Sequence, residues 1–218
     1  MAAQVTTRAT RIHATTERAA TDERRVAGVL LFALSSAFLL VTMLAASIAP
    51  EYDFHGGAIS DLGVIAETAA LFNVLLVVMG ALNLAAGYVV YRHQRRVLTA
   101  IYVLAGIGAI GAGVFPLSTG GLHAVFALVA FIAFNLEVIG SARLLVGPMR
   151  LLGILAGGVG LLYAVLMVIG DSGNPAVFGP IGHGGSERMI AYPAMLWLLA
   201  FGGYLMAHPA REEAGNRA

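Results

Sequence analysis

The chain has 218 residues, of which 59% are hydrophobic and 11% charged, and its mean hydropathy of +0.84 predicts an integral membrane protein, because water-soluble domains of this length are less apolar. A net charge of +1 gives no field that would gather nucleic acid, and the lack of cysteine excludes disulfides and thiolate metal ligands. All 13 basic residues are arginine, which excludes Schiff-base chemistry at lysine and favours a GC-rich prokaryotic source.

Six apolar stretches are long enough to cross the bilayer, since a spanning helix needs about 20 residues. They are residues 26–49, 66–91, 97–117, 123–146, 151–170 and 189–207. The first stretch is too long for the core of a signal peptide, so we expect it to be retained. The sequence therefore predicts an all-α fold in which a six-helix transmembrane domain, 26–207, lies between a polar tail, 1–25, and a short tail, 208–218.

The arginines predict how the helices are oriented. Twelve of them lie in the two tails and in the second and fourth connections, whereas Arg188 alone lies in the connections on the other side. Because cytoplasmic segments carry the excess of basic residues, both termini are expected in the cytoplasm of a prokaryotic cell. The connections 50–63, 118–121 and 171–188 are then expected outside.

Acids, imidazoles and hydroxyls gather in these outer connections and at the adjoining helix ends. A compact bundle would bring them together, which makes the outer face the candidate site. The proposed catalytic residues are Asp61, His123, Asp171 and Glu187, and the proposed substrate-binding residues are Ser60, Arg188 and the intramembrane Glu137.

A second interpretation stays open for several of these residues. Ser60 with Asp61, and Ser186 with Glu187, precede apolar helices, where such side chains commonly cap the helix N-terminus. His123 begins an apolar helix beside a short loop, where one interpretation is a base or metal ligand and the other is packing at the membrane interface without a function.

A metal is one hypothesis for the outer face. Zinc or another divalent ion would be held by His123, His183 and Asp61, with a position left for water. In the same scheme Arg188 would hold an anionic lipid headgroup. The spacing of these residues matches no established metal-binding motif.

Glu137 lies about 21 Å along the fourth helix from His123, at 1.5 Å per residue, and is therefore expected beyond the bilayer midplane. A carboxyl group there must be protonated, paired or close to water. One interpretation is a proton or cation relay. The other is a hydrogen bond to an asparagine, Ser141 or a tyrosine on a neighbouring helix, with help from Arg143.

Two groups of motifs carry a family resemblance. The first group is Pro50-Glu51-Tyr52-Asp53 followed by Ile59-Ser60-Asp61-Leu62-Gly63. The second is Gly113-Val114-Phe115-Pro116, followed along the chain by His123, Gly170-Asp171 and Glu187-Arg188, ahead of Pro193 and Trp197. This pattern resembles the prokaryotic membrane family catalogued as domain of unknown function 998, from residue 26 to residue 207. The resemblance implies a six-helix bundle and no established reaction. A looser similarity in residue types is to zinc hydrolases of the alkaline ceramidase and progestin-receptor-like superfamily, which have seven spans.

Three functions remain open. The leading hypothesis is an outer-face enzyme, a membrane-embedded hydrolase, acting on a lipid or lipid-linked substrate, with membrane lipids as its partners and no nucleic acid. The second is a transporter or ion-coupled sensor that uses Glu137. The third is a non-catalytic scaffold or accessory subunit.

Overall fold

A computed structural model describes the backbone of residues 2–91 and 95–208 and the side chains of residues 21–89 and 95–208. The α-helices of this part are α1 (Ala2–Ile48), α2 (Ala69–Tyr91), α3 (Arg96–Val114), α4 (Gly121–Ala142), α5 (Pro148–Asp171) and α6 (Gly182–Ala207). Each contains a stretch long and apolar enough to cross a membrane. The predicted all-α, six-helix architecture is confirmed, and the chain is a multi-pass membrane protein.

Three 3₁₀ helices lie in alternate connections of the bundle. They are Ile59–Gly63 after α1, Leu117–Thr119 after α3 and Pro175–Ile181 after α5. Because consecutive spanning helices run in opposite directions, these connections share one end of the bundle. We call it the 3₁₀ end, and we call the opposite end, which holds Arg95, Arg96, Arg143 and Arg150, the arginine end.

The helices form a closed ring in which each packs against the next along the chain. The ring closes because α1 packs against α6, and α4 also contacts α6 across the middle. Between 22% and 50% of the most apolar stretch of each span is buried within the protein, so apolar side chains also cover the outer surface. This is expected where the outer surface contacts lipid rather than water.

Glycines bring α4 and α5 together at mid-height. A Cβ at Gly157 of α5 would lie 2.6 Å from the backbone oxygen of Asn135 on α4, and one at Gly160 would overlap the Asn135 side chain. Small residues allow such close approach between helices in lipid. Nearer the 3₁₀ end, Ala164 and Met167 line a cavity between the same helices.

The last span begins earlier than predicted. Because α6 starts at Gly182 rather than at residue 189, Ser186 and Glu187 lie inside the helix, and the prediction that they cap its N-terminus is wrong. The Ser186 hydroxyl instead donates to the Gly182 carbonyl one turn earlier, at 2.9 Å. The Gly-rich composition of this segment suggested a loop, but Gly184 lies too close to neighbouring backbone for a larger residue.

The predicted N-terminal tail is continuous with the first helix. The boundary expected after residue 25 falls inside α1, whose backbone is helical from Ala2. Residues 209–218 of the predicted C-terminal tail, and Arg92 of the second connection, lie outside the described residues.

Candidate functional site

A cavity of about 420 Å³ lies at the 3₁₀ end, between α4, α5, α6 and the first 3₁₀ helix. We call it the polar cavity. Its polar lining consists of Ser60, Asp61, His123, Asp171, Ser172, His183 and Glu187. The structure therefore brings together the four proposed catalytic residues with Ser60 and His183, although they come from four separate elements.

A smaller cavity of about 60 Å³ adjoins the polar cavity and extends into the bundle. We call it the apolar cavity. The two share Ser60, His123, Ala127, Phe131, Glu187 and Ile190, and the apolar cavity is completed mainly by aromatic, leucine, methionine and alanine side chains. Most polar groups thus lie at the membrane-surface end of the site, and its deep end is mainly hydrocarbon, with Asn135 as the one further polar residue of the apolar cavity.

His123 lies in the first turn of α4, where the backbone leaves the second 3₁₀ helix through Gly120 at φ +62°. Its side chain is 4% exposed, and Nδ1 lies 2.8 Å from the carbonyl oxygen of Phe115. A carbonyl only accepts, so Nδ1 carries the proton. No hydrogen-bond partner of Nε2 occurs in the described part of the chain, and the imidazole lines both cavities.

Glu187 connects α6 to the first 3₁₀ helix. Its side chain is 5% exposed, and Oε2 accepts a short hydrogen bond from the backbone N–H of Ile59. His183 precedes it by four residues and Ile190 follows by three, so all three occupy one face of α6. That face forms a wall of the polar cavity.

Asp61 lies in the first 3₁₀ helix and binds the backbone of its N-cap residue, Ala58. Its Oδ2 accepts the backbone N–H of Ala58 at 2.8 Å. The interpretation that Ser60 and Asp61 cap the N-terminus of the second span is wrong, because α2 begins at Ala69 and both residues lie inside the first 3₁₀ helix, whose N-cap is Ala58. Asp61 also lines the polar cavity.

Asp171 and His183 form a pair at the rim of the polar cavity. His183 Nε2 lies 3.1 Å from Asp171 Oδ1, joining the end of α5 to the first turn of α6. The side chains of His183 and Asp171 are 35% and 55% exposed, so water reaches the pair. The edge of the Phe178 ring packs against the imidazole, with the centroids 5.0 Å apart.

The predicted metal ligands are not assembled as a set. Among residues 21–89 and 95–208, no three His, Asp or Glu side chains lie close enough to hold one ion. His123, His183 and Asp61 line the same cavity, but each is turned to a different partner. The zinc hypothesis therefore finds no assembled set of three ligands among the described residues, although His123 Nε2 has no hydrogen-bond partner there.

Arg188 lies outside the cavity lining and binds the α1–α2 connection. Its Nη1 donates to the carbonyls of Phe54 and Gly57 at 3.1 Å and of Gly184 at 2.7 Å, while Nη2 donates to the Tyr52 hydroxyl at 2.6 Å. The guanidinium also lies 4.6 Å from the Phe54 ring centroid. These contacts use Arg188 to hold a loop, and its predicted role at an anionic headgroup stays a prediction.

The same connection shifts the pKa of two of its residues. Burial raises the pKa of the Tyr52 hydroxyl, against the lowering effect of Arg188. Backbone N–H groups of His55 and Gly56 donate to the Asp53 carboxylate at 3.0 and 2.7 Å, and they lower its pKa. These contacts fix the loop that packs over α6 beside the cavity.

Glu137 lies apart from both cavities. It is fully buried, and its Oε2 accepts a 2.9 Å hydrogen bond from Asn83 Nδ2, which also donates to the Tyr102 carbonyl. The structural interpretation of Glu137, a hydrogen bond to an asparagine, is confirmed. The cavity residues Met79 and Phe134 lie about one turn before Asn83 and Glu137 on their helices, so apolar side chains separate this pair from the site.

Sequence reasoning missed the apolar part of the site. Ala127 and Phe131 of α4 and Ile190 of α6 line both cavities, but nothing distinguishes them from lipid-facing residues in the sequence. One signal was available: His183, Glu187 and Ile190 have helical spacing, which identifies one face of a helix that starts before residue 189.

Comparisons with known proteins identify the family but no characterised relative. A family model described as protein of unknown function, DUF998, matches residues 17–204. Neither the curated proteins nor the solved structures include a match. The match covers most of the chain and all six spans in whole or in large part. The chain therefore belongs to the DUF998 family of membrane proteins.

Proposed function

We propose that this protein binds an amphipathic lipid or lipid-linked molecule in the two adjoining cavities and acts on its polar headgroup by acid–base chemistry. The observation that carries the proposal is the division of the site. Titratable side chains line its surface end, and the side chains of its deep end are aromatic and aliphatic except for Asn135. An amphipathic molecule satisfies both ends, whereas a wholly polar solute would leave the deep end empty.

The lining also supports entry from the bilayer. Leu128 of α4 and Val168 of α5 line the polar cavity and are 37% and 47% exposed on the outer surface of the bundle. In a membrane this surface contacts acyl chains. A lipid can therefore approach between α4 and α5, above the level at which Gly157 and Gly160 close the two helices together.

Two imidazoles provide the acid–base groups. With its proton held on Nδ1 by Phe115, His123 presents Nε2 as an acceptor inside a buried site. His183 is oriented by Asp171, as a general base is oriented by a carboxylate. A neutral imidazole would take a proton from the attacking water or hydroxyl, and the imidazolium so formed would give that proton to the leaving group.

The test is lipid analysis of the protein purified in nanodiscs from its own membrane. Ala127 lines both cavities, so Ala127→Phe fills them. Ala200→Phe is the matched control, because Ala200 is exposed on α6. We expect a discrete set of lipids with the wild type and with Ala200→Phe, and depletion of that set in Ala127→Phe. Equal lipid content in all three folded proteins would overturn the proposal.

We also propose that the 3₁₀ end faces outward in a prokaryotic cell membrane, with both termini in the cytoplasm. Support comes from the arginines, which are concentrated at the opposite end. The chain has no cysteine, so single cysteines can be placed without background. An impermeant thiol reagent added to intact cells should label Ser172→Cys and spare Val146→Cys. The reverse pattern would invert the topology.

A further inference from the structure

We infer that the headgroup selected by the polar cavity carries a positive charge, such as a primary ammonium group, rather than a phosphate monoester. This inference rests on the proposed function, because it concerns the ligand of the same cavity. Its basis is the set of charges that faces the cavity and the place where the nearest guanidinium is held.

The described lining contains three carboxyl groups, from Asp61, Asp171 and Glu187, and no arginine. Two imidazoles, His123 and His183, are its only basic groups. A neutral imidazole adds no charge, so the carboxylates of Asp61 and Asp171, which are not fully buried, set the sign of the potential in the cavity. Such a cavity attracts an ammonium group and repels a phosphate, which proteins commonly bind with arginine.

Arg188 does not offset the negative charge of the cavity lining. It follows Glu187 directly in α6, so the two side chains point about 100° apart around the helix. Its guanidinium donates to three carbonyls of the α1–α2 connection and its own helix, and to the Tyr52 hydroxyl. The other described arginines outside α1 lie at the arginine end. The cation nearest the site is thus directed toward the loop.

Buried groups show that the cavity can hold a ligand in a defined position. His123 is 4% exposed and directs into the cavity an Nε2 that has no hydrogen-bond partner among the described residues. Glu187 is 5% exposed and is held by the backbone N–H of Ile59. An ammonium group offers several donors, which match the carboxylate oxygens and a neutral imidazole nitrogen.

The experiment uses three photoreactive amphiphiles with the same diazirine-bearing dodecyl tail and an ammonium, a hydroxyl or a phosphate headgroup. Each is added to the wild-type protein in nanodiscs of neutral lipid and crosslinked, and the labelled peptides of α4 and α5 are quantified by mass spectrometry. Labelling in Ala127→Phe is subtracted as the background outside the cavity.

We expect the ammonium probe to label the cavity about tenfold or more above the phosphate probe. The double variant Asp61→Asn with Asp171→Asn should reduce that ratio. Equal or stronger labelling by the phosphate or hydroxyl probe would overturn the inference and leave the proposed function intact. If no probe labels the wild type above Ala127→Phe, the proposed function itself fails.

Discussion

Two groups of buried polar residues in this protein differ in what surrounds them. At the 3₁₀ end, His123 and Glu187 are almost fully buried and still line a cavity. Near the middle of the bundle, Asn83 and Glu137 are equally buried, but they pair with each other and line neither cavity. Burial of a polar side chain in a membrane helix therefore does not by itself indicate a site, and the space beside it is the better guide.

Packing between helices explains the difference. Around Glu137, the helices α2, α3 and α4 are in contact. The Tyr102 side chain packs so closely against Gly87 that a Cβ on Gly87 would overlap it. Around His123, the neighbouring residues belong to the first 3₁₀ helix and to the part of α5 between Gly160 and the 3₁₀ end, and they leave the polar cavity between them. Substitutions in the two groups distinguish whether function depends on the polar cavity beside His123 or on the intramembrane carboxyl group of Glu137.

The largest effect is expected for His123→Gln. Loss of a general acid or base lowers turnover by roughly 100-fold or more, while lipid still copurifies because the cavity keeps its shape. The measurement is conversion of the copurified lipid in nanodiscs, with His208→Gln at the arginine end as the matched control. Unchanged turnover in His123→Gln would remove the imidazole from the mechanism.

Gly184→Ala should destabilise the fold, because a Cβ there would overlap the Gly57 carbonyl and lie 2.6 Å from the Phe54 oxygen. Crowding against backbone costs about 3 kcal/mol, read as a lower unfolding temperature in detergent. Gly203→Ala is the control, since a Cβ there meets nothing within 4 Å. A wild-type unfolding temperature for Gly184→Ala would mean that the loop does not pack on α6 as described.

Glu137→Ala should cost about 2 kcal/mol, because it removes one of the two acceptors of the Asn83 amide and leaves only the Tyr102 carbonyl. Glu137→Gln keeps an acceptor and should cost less, and neither change should alter lipid content or turnover. Chemical denaturation and the nanodisc assay measure the two effects. If Glu137→Gln folds normally but abolishes function or a proton-driven flux, the transport alternative becomes the better account.

The smallest effect is expected for Asp53, which lies in the loop over α6. Because backbone hydrogen bonds lower its pKa, Asp53 stabilises the fold above the pKa of the unfolded chain, about 3.9. That contribution is lost as pH falls through the lower value of the folded protein. Between pH 5 and pH 3, about the range of this titration, the unfolding temperature of wild type should fall slightly more than that of Asp53→Asn. Parallel curves would contradict the prediction.

The sequence predicted the spans better than their ends. All six helices were found, because about 20 apolar residues in succession need no knowledge of neighbours to be recognised. The start of α6 was missed because Gly182, Gly184 and Gly185 indicate a loop when read locally. In the folded protein, Gly184 is a helical residue that lets the α1–α2 connection approach the helix.

Part of the site was also predictable. Candidates such as Asp61, His123 and Asp171 were found because polar residues are rare in this chain and cluster in the connections of one side. The metal set was not supported, because no three ligands come together among the described residues, and a sequence does not show that Asp61 contacts the Ala58 N–H or His123 the Phe115 carbonyl. Those contacts depend on local turns whose geometry the residue types alone leave open.

The sequence by itself determined that lipid rather than water surrounds this protein, and it determined the six helices and the set of polar residues at one end of the bundle. It could do so because hydropathy and composition are properties of the chain. The tertiary structure alone decided which of those residues share a cavity. Rotation of each helix about its axis turns Glu187 toward the cavity and Arg188 toward the loop. That rotation is set by packing between helices far apart in sequence, where a shift of one residue turns a side chain by about 100°.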